Sequence, residues 1–214
     1  MKIGGFQKFS LIDYPGKISC IIFTQGCYFN CSFCHNPELV YPELFNLPLR
    51  EEAIFEFLQR RRGKIEAVVI TGGEPTIQPD LAEFIERIKK MDYFVKLDTN
   101  GSNPSVLKKL IEDKLVDYIA MDIKAPPQKY SLLIGRNIDV SLIFESIKII
   151  ENSPIEYEFR TTFVPSLLSQ EDILKIKKMV KNKKRHRIQK FSSQFQSLKP
   201  KHLLNTSQIS AASY

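Results

Sequence analysis

Six short runs rich in apolar and β-branched residues recur along the 214-residue chain, at 18–24, 65–71, 93–98, 116–123, 155–164 and 186–191. Between them lie five segments whose apolar residues repeat at helical spacing. The clearest are 50–61, with Ile54, Phe57 and Leu58, and 80–90, with Leu81, Phe84, Ile85 and Ile88. A third starts at Asn103-Pro104, where proline suits a first helical turn, and two more cover 141–151 and 169–181. The run 18–24 is continuously apolar apart from Ser19 and Thr24, as expected of a strand buried on both faces. Strands alternating with helices predict parallel βαβ units in an α/β fold. Six units are fewer than the eight of a closed TIM barrel. The expected architecture is therefore a partial, open (β/α)6 barrel or a doubly wound sheet.

The polar motifs fall where such folds bind ligands. Cys27, Gly72-Gly73-Glu74-Pro75, Asp98-Thr99-Asn100-Gly101 and Asp122-Ile123-Lys124 each follow the carboxyl end of an expected strand. The first belongs to Cys27-Tyr28-Phe29-Asn30-Cys31-Ser32-Phe33-Cys34, which offers three thiols and no fourth. A structural zinc site is normally closed by four ligands. His35 adjoins Cys34 and is poorly placed to bind the same metal, whereas three thiolates on a four-iron cluster would leave one iron open. The remaining cysteine, Cys20, lies inside an apolar strand and reads as a small hydrophobe. Taken alone, the GGEP string is compatible with an ordinary strand-to-helix turn, and Asp98 and Thr99 with simple turn formers.

Charge and length narrow the classes further. The net charge is +7, yet 173–214 carries eleven Lys or Arg and no Asp or Glu, leaving 20 basic and 24 acidic residues elsewhere. This reads as a solvated basic surface, with an acidic docking partner as the sharper alternative. Aromatic residues interleave it sparsely, which does not favour nucleic acid. No apolar stretch approaches the ~18 residues of a membrane span, and the N-terminus has no signal-peptide core. Clustered thiols without an export signal point to metal ligation in the cytoplasm.

In combination, CxxxCxxC after the first strand and GGEP after the second resemble the radical S-adenosylmethionine (radical SAM) superfamily. Gly5-Phe6, Ser10-Leu11-Ile12-Asp13-Tyr14-Pro15-Gly16, Phe23-Thr24-Gln25-Gly26-Cys27 and Cys34-His35-Asn36-Pro37 narrow the resemblance to activating enzymes of glycyl-radical proteins. It is strongest to the anaerobic ribonucleotide reductase activating group, to which pyruvate formate-lyase activating enzyme is related. The resemblance implies a partial barrel of the radical SAM type and a [4Fe–4S] cluster on Cys27, Cys31 and Cys34. The cluster would cleave S-adenosylmethionine reductively to methionine and a 5′-deoxyadenosyl radical, which abstracts hydrogen from a glycine of the partner enzyme. It assigns the cofactor's amino group to Gly72, Gly73 and Glu74, its carboxylate to Lys124, and its adenine to the neighbourhood of Phe33, a residue equally suited to packing over the cluster. It also implies a monovalent cation on Asp98, Thr99 and Asp122, and flavodoxin or ferredoxin as electron donor. His35 and Asn36 are candidates for contacts near adenine or the cluster. Arg160 is a candidate for contact with cofactor or substrate, or for a structural ion pair.

The expected radical SAM core covers 1–191, and 192–214, polar and rich in serine, is expected to be poorly ordered. One remaining cysteine leaves room for a single cluster. Two rival readings stand beside the activase. One is a small-molecule radical enzyme of the 7-carboxy-7-deazaguanine synthase type, and the other a degenerate cluster-binding protein.

Overall fold

A computed structural model of the chain describes residues 1–191. The expected tail at 192–214 lies outside the described residues. Seven strands form one sheet in sequential order: β1 (Ile3–Ser10), β2 (Ser19–Thr24), β3 (Ala67–Gly72), β4 (Phe94–Thr99), β5 (Tyr118–Asp122), β6 (Glu156–Phe163) and β7 (His186–Lys190). β1 pairs antiparallel with β2, and every later neighbour is parallel. The crossovers carry α1 (Glu51–Arg61), α2 (Leu81–Lys89), α3 (Pro104–Glu112), the short α4 (Tyr130–Ile134), α5 (Ser141–Glu151) and α6 (Gln170–Lys177).

This order decides between the two expected architectures. A doubly wound sheet reverses its strand order at a switch point. Six parallel strands added one after another, with crossovers of one hand, coil into a barrel wall instead. Neither β1 nor β7 has a second strand neighbour among the described residues, so the barrel stays open. The six expected strands are β2–β7. The antiparallel β1 and the five-residue α4 are additions that the sequence reading did not contain.

Alternation along each strand sorts its side chains between helices and barrel interior. Ile22, Val68, Ile70, Val95, Leu97, Ile119, Met121 and Phe159 face the helices and join Leu58, Phe84, Ile88, Leu107, Ile147 and Ile176 in the main core. A smaller interior cluster contains Ile21, Ala67, Val69, Tyr118 and Ala120. Tyr14, in the turn joining β1 to β2, belongs to this cluster with its ring 5.8 Å from that of Tyr118. It closes the amino-terminal end of the barrel, opposite the polar rim. Among the described residues no helix is long and apolar enough to cross a membrane.

The last parallel strand carries a buried titratable group. His186 Nε2 lies 2.9 Å from Thr161 Oγ1, which itself donates to the Ile123 carbonyl, while Nδ1 is buried without a hydrogen-bond partner. Burial, then the Lys177 charge, push its pKa down from 6.5 to about 4. The folded state therefore prefers neutral histidine. Its contribution is fully present above the unfolded value near pH 6.5 and is lost as pH falls towards 4. The limit is about 3 kcal/mol at roughly 1.4 kcal/mol per pH unit. Urea unfolding of cluster-free protein at pH 7 and pH 4.5 should show this loss, and His186→Gln should shrink it by about 2 kcal/mol.

Candidate active site

Residues of β3–β7 and the cysteine loop surround a cavity of about 250 Å³. Backbone hydrogen bonds fix the loop at several points. Gly26 N–H donates to the Leu39 carbonyl (2.7 Å), Asn30 N–H to the Ile134 carbonyl at the end of α4 (2.7 Å), and Cys34 N–H to the Cys31 carbonyl (3.1 Å). Cys27, Cys31 and Cys34 all line the cavity. Burial, then the Glu74 carboxylate, push the Cys27 thiol up to about 12, against a lowering hydrogen bond from the Phe29 N–H. Metal would therefore have to displace a proton from the Cys27 sulfur on binding. Among the described residues no group of three or more His, Cys, Asp or Glu is arranged to hold a single metal ion. Three thiols lining one cavity suit an iron–sulfur cluster, whose cysteines bind different irons.

The glycines of the second motif serve the loop as well as the cavity they line. Gly72 has φ +111°, a conformation L side chains rarely adopt, and a Cβ on Gly73 would lie 2.0 Å from the Gly26 carbonyl oxygen. Gly73 N–H donates to the Thr24 carbonyl (2.8 Å) and Glu74 N–H to the Gly26 carbonyl (2.8 Å). The end of β3 is thus stitched to the chain entering the cysteine loop.

Glu74 turns away from the cavity. Its side chain is fully buried. Oε1 accepts from Thr76 N–H (3.1 Å), Thr76 Oγ1 (2.6 Å) and Thr99 Oγ1 (2.8 Å), and Oε2 accepts from Asn100 N–H (2.7 Å). Burial raises its pKa, while these four hydrogen bonds oppose the rise. The carboxylate clamps the 98–101 loop to the GGEP turn, and it is not among the cavity-lining side chains.

The clamp positions a residue that stood in the sequence only as part of the Asp98-Thr99-Asn100-Gly101 motif. Asn100 Nδ2 lies 3.7 Å from Cys27 Sγ, directing an N–H at a sulfur. Such contacts tune thiolate ligands. Its place directly after the end of β4 gave no distinct signal. Phe33 is buried against the cavity, and His35, which also lines it, stacks on Phe191 with centroids 5.6 Å apart.

Along one wall of the cavity runs a chain of ion pairs across β4, β6 and β5. Lys96 Nζ contacts Asp98 Oδ1 (2.6 Å), Arg160 Nη1 contacts Asp98 Oδ2 (3.1 Å), Arg160 Nε contacts Asp122 Oδ1 (2.8 Å) and Lys124 Nζ contacts Asp122 Oδ2 (2.8 Å). Burial alone would raise the Asp122 pKa, but Arg160 and Lys124 hold its carboxyl well below the usual range. Burial likewise disfavours the Lys124 charge, which Asp122 and Cys31 more than restore. Every expected site residue except Glu74 therefore lines one cavity. Lys96 was not foreseen, although it lies two residues before Asp98 and hence on the same strand face.

An open parallel barrel with three thiols at its carboxyl rim defines a class of cluster-dependent enzymes, and the sequence comparison identifies it. Residues 21–181 match the radical SAM superfamily, and the chain belongs to that family of enzymes. Its members use a [4Fe–4S] cluster and S-adenosylmethionine. A Methanocaldococcus jannaschii protein, provisionally described as a glycyl-radical enzyme activating enzyme, is 37% identical over 195 residues, covering 88% of this chain and 79% of the relative. Pyruvate formate-lyase-activating enzyme of Clostridium pasteurianum is 30% identical over 196 residues, covering 85% of this chain and 76% of its own. Among solved structures, Streptococcus suis SuiB bound to precursor peptide SuiA superposes with a TM-score of 0.65 at 15% identity. That superposition covers 87% of this chain but only 44% of SuiB, and it shows the shared fold alone.

Proposed function

We propose that the chain is a glycyl-radical enzyme activase, with anaerobic ribonucleotide reductase as its protein substrate and flavodoxin or ferredoxin as electron donor in the cytoplasm. The observation that carries the reading is the similarity to two activating enzymes across more than four-fifths of the chain. The cavity's lining fits the cofactors: three thiols, a glycine-lined strand end, and an adjoining cationic wall. The radical SAM unit is taken as 1–191.

In this reading Cys27, Cys31 and Cys34 hold the [4Fe–4S] cluster. When bound, the reduced cluster would give one electron to S-adenosylmethionine, a chemistry that releases methionine and supplies a 5′-deoxyadenosyl radical able to take hydrogen from glycine. The protein's own residues bind, orient and shield. Gly72 and Gly73 let a ligand approach the backbone closely, and Phe33 offers an apolar wall for adenine. Lys124 stays protonated beside Asp122 and offers charge to a carboxylate. Glu74 acts as a positioning residue, holding Thr99 and Asn100 at the rim.

Anaerobically reconstituted protein should form 5′-deoxyadenosine from S-adenosylmethionine and dithionite. Adding the partner reductase should then produce a glycyl-radical doublet by electron paramagnetic resonance. Cleavage stimulated only by a small molecule would sink the activase reading.

A further inference from the structure

The resemblance to activating enzymes implies a monovalent cation on Asp98, Thr99 and Asp122, and the geometry of these residues does not fit one. All four carboxylate oxygens are engaged by protein cations: Asp98 by Lys96 and Arg160, at 2.6 and 3.1 Å, and Asp122 by Arg160 and Lys124, both at 2.8 Å. Thr71 Oγ1 also approaches Asp98 Oδ2 at 3.4 Å. The Thr99 hydroxyl donates to Glu74 (2.8 Å) and accepts from Gly101 N–H (3.1 Å). Hard cations need several oxygens free to coordinate them. Here the expected oxygens already have partners.

We propose that the Arg160 guanidinium, bridging Asp98 and Asp122, stands in place of a bound alkali cation at this rim. Three facts support the assignment. First, Arg160 is the register partner of Asp122 across β5 and β6, so the strand pairing delivers the guanidinium to that carboxylate. Its Nε and Nη1 then reach different aspartates, a division that the planar fork allows and a lysine ammonium does not reproduce. Second, the charge is already complete. Lys96, Arg160 and Lys124 face two aspartates, an excess of one positive charge, and a further cation would add repulsion in a half-buried site. Third, arginine remains charged at every accessible pH, so the substitute cannot be lost by titration. The excess positive charge remains available to a ligand carboxylate, a consequence that rests on the activase reading. The replacement of the cation does not.

The test uses cluster-free full-length protein, so that it stands apart from catalysis. Thermal unfolding is compared in sodium, potassium and choline chloride at equal ionic strength, alongside the ²³Na resonance linewidth. The wild-type protein should unfold at the same temperature in all three salts and leave the sodium line narrow. Arg160→Gln removes the charge and frees Asp98 Oδ2 and Asp122 Oδ1. It should gain about 3 °C or more in sodium or potassium over choline, with a broadened sodium line. A saturable stabilisation of the wild-type protein by sodium or potassium would overturn the proposal. So would a folded Arg160→Gln protein that ignores the cation. If Arg160→Gln does not fold, the wild-type measurement decides alone: a narrow, salt-independent sodium line supports the proposal, and saturable broadening overturns it.

Discussion

Cys31→Ala should abolish both the brown cluster chromophore after anaerobic reconstitution and the formation of 5′-deoxyadenosine, to the background of a protein-free control. Cys31 is buried in the cavity wall, and its carbonyl accepts from Cys34 N–H, so the two cysteines form one tight turn. With three thiols and no fourth ligand in the set, removing one leaves two anchors for the whole group. The fold itself should persist. Alanine keeps the backbone hydrogen bond and deletes one sulfur, so the cluster-free variant should unfold within about 1 kcal/mol of wild type. Iron content and product yield measured beside urea unfolding would separate the two effects. Substantial cleavage activity in the variant would refute the ligand assignment.

The second large effect is expected at Glu74, and it should appear in stability before it appears in chemistry. Glu74→Ala removes the acceptor for two backbone N–H groups and two hydroxyls inside a fully buried clamp. The hydroxyls can turn to new partners, but the Thr76 and Asn100 N–H groups cannot. Each unsatisfied buried donor costs about 1–3 kcal/mol, so a loss of about 3 kcal/mol or more is expected from urea unfolding. Glu74→Gln keeps one acceptor oxygen and should lose less. In both variants Asn100 should release Cys27, which reconstituted protein would report as an altered cluster spectrum. A Glu74→Ala protein as stable as wild type would show that the clamp is not holding the loop.

The residues explain which parts of this arrangement were legible in the sequence. Strands β2–β5 announced themselves because consecutive residues along each are buried, so each reads as a largely apolar run, whereas β6 and β7 are more exposed and were marked by the alternation of elements. The carboxyl ends of β2–β5 placed Cys27, Gly72, Asp98 and Asp122 at one rim before any coordinates. β1 gave no such signal. Gly4, Gly5, Gln7 and Lys8 interrupt its pattern, and its pairing with β2 is broken by two register shifts. The five residues of α4 are too few to show a helical period.

Site details failed for a different reason. A motif fixes where Glu74 sits but not which way its side chain turns, and that is decided by Asn100 N–H, 26 residues along the chain. The Arg160 bridge likewise depends on β4, β5 and β6 being successive neighbours, so that one guanidinium spans aspartates from two strands. Local sequence supplied the charges. The strand order supplied their pairing.

Three thiols holding a cluster with one coordination position left open at this rim would make that position a site for S-adenosylmethionine. Electron paramagnetic resonance of the dithionite-reduced, reconstituted protein, recorded before and after adding S-adenosylmethionine, tests it most directly. A [4Fe–4S]⁺ signal is expected whose g-values shift when S-adenosylmethionine is added, because the ligand would enter the open position. A cluster signal that S-adenosylmethionine leaves unchanged, or a protein that binds zinc in place of iron, would contradict it.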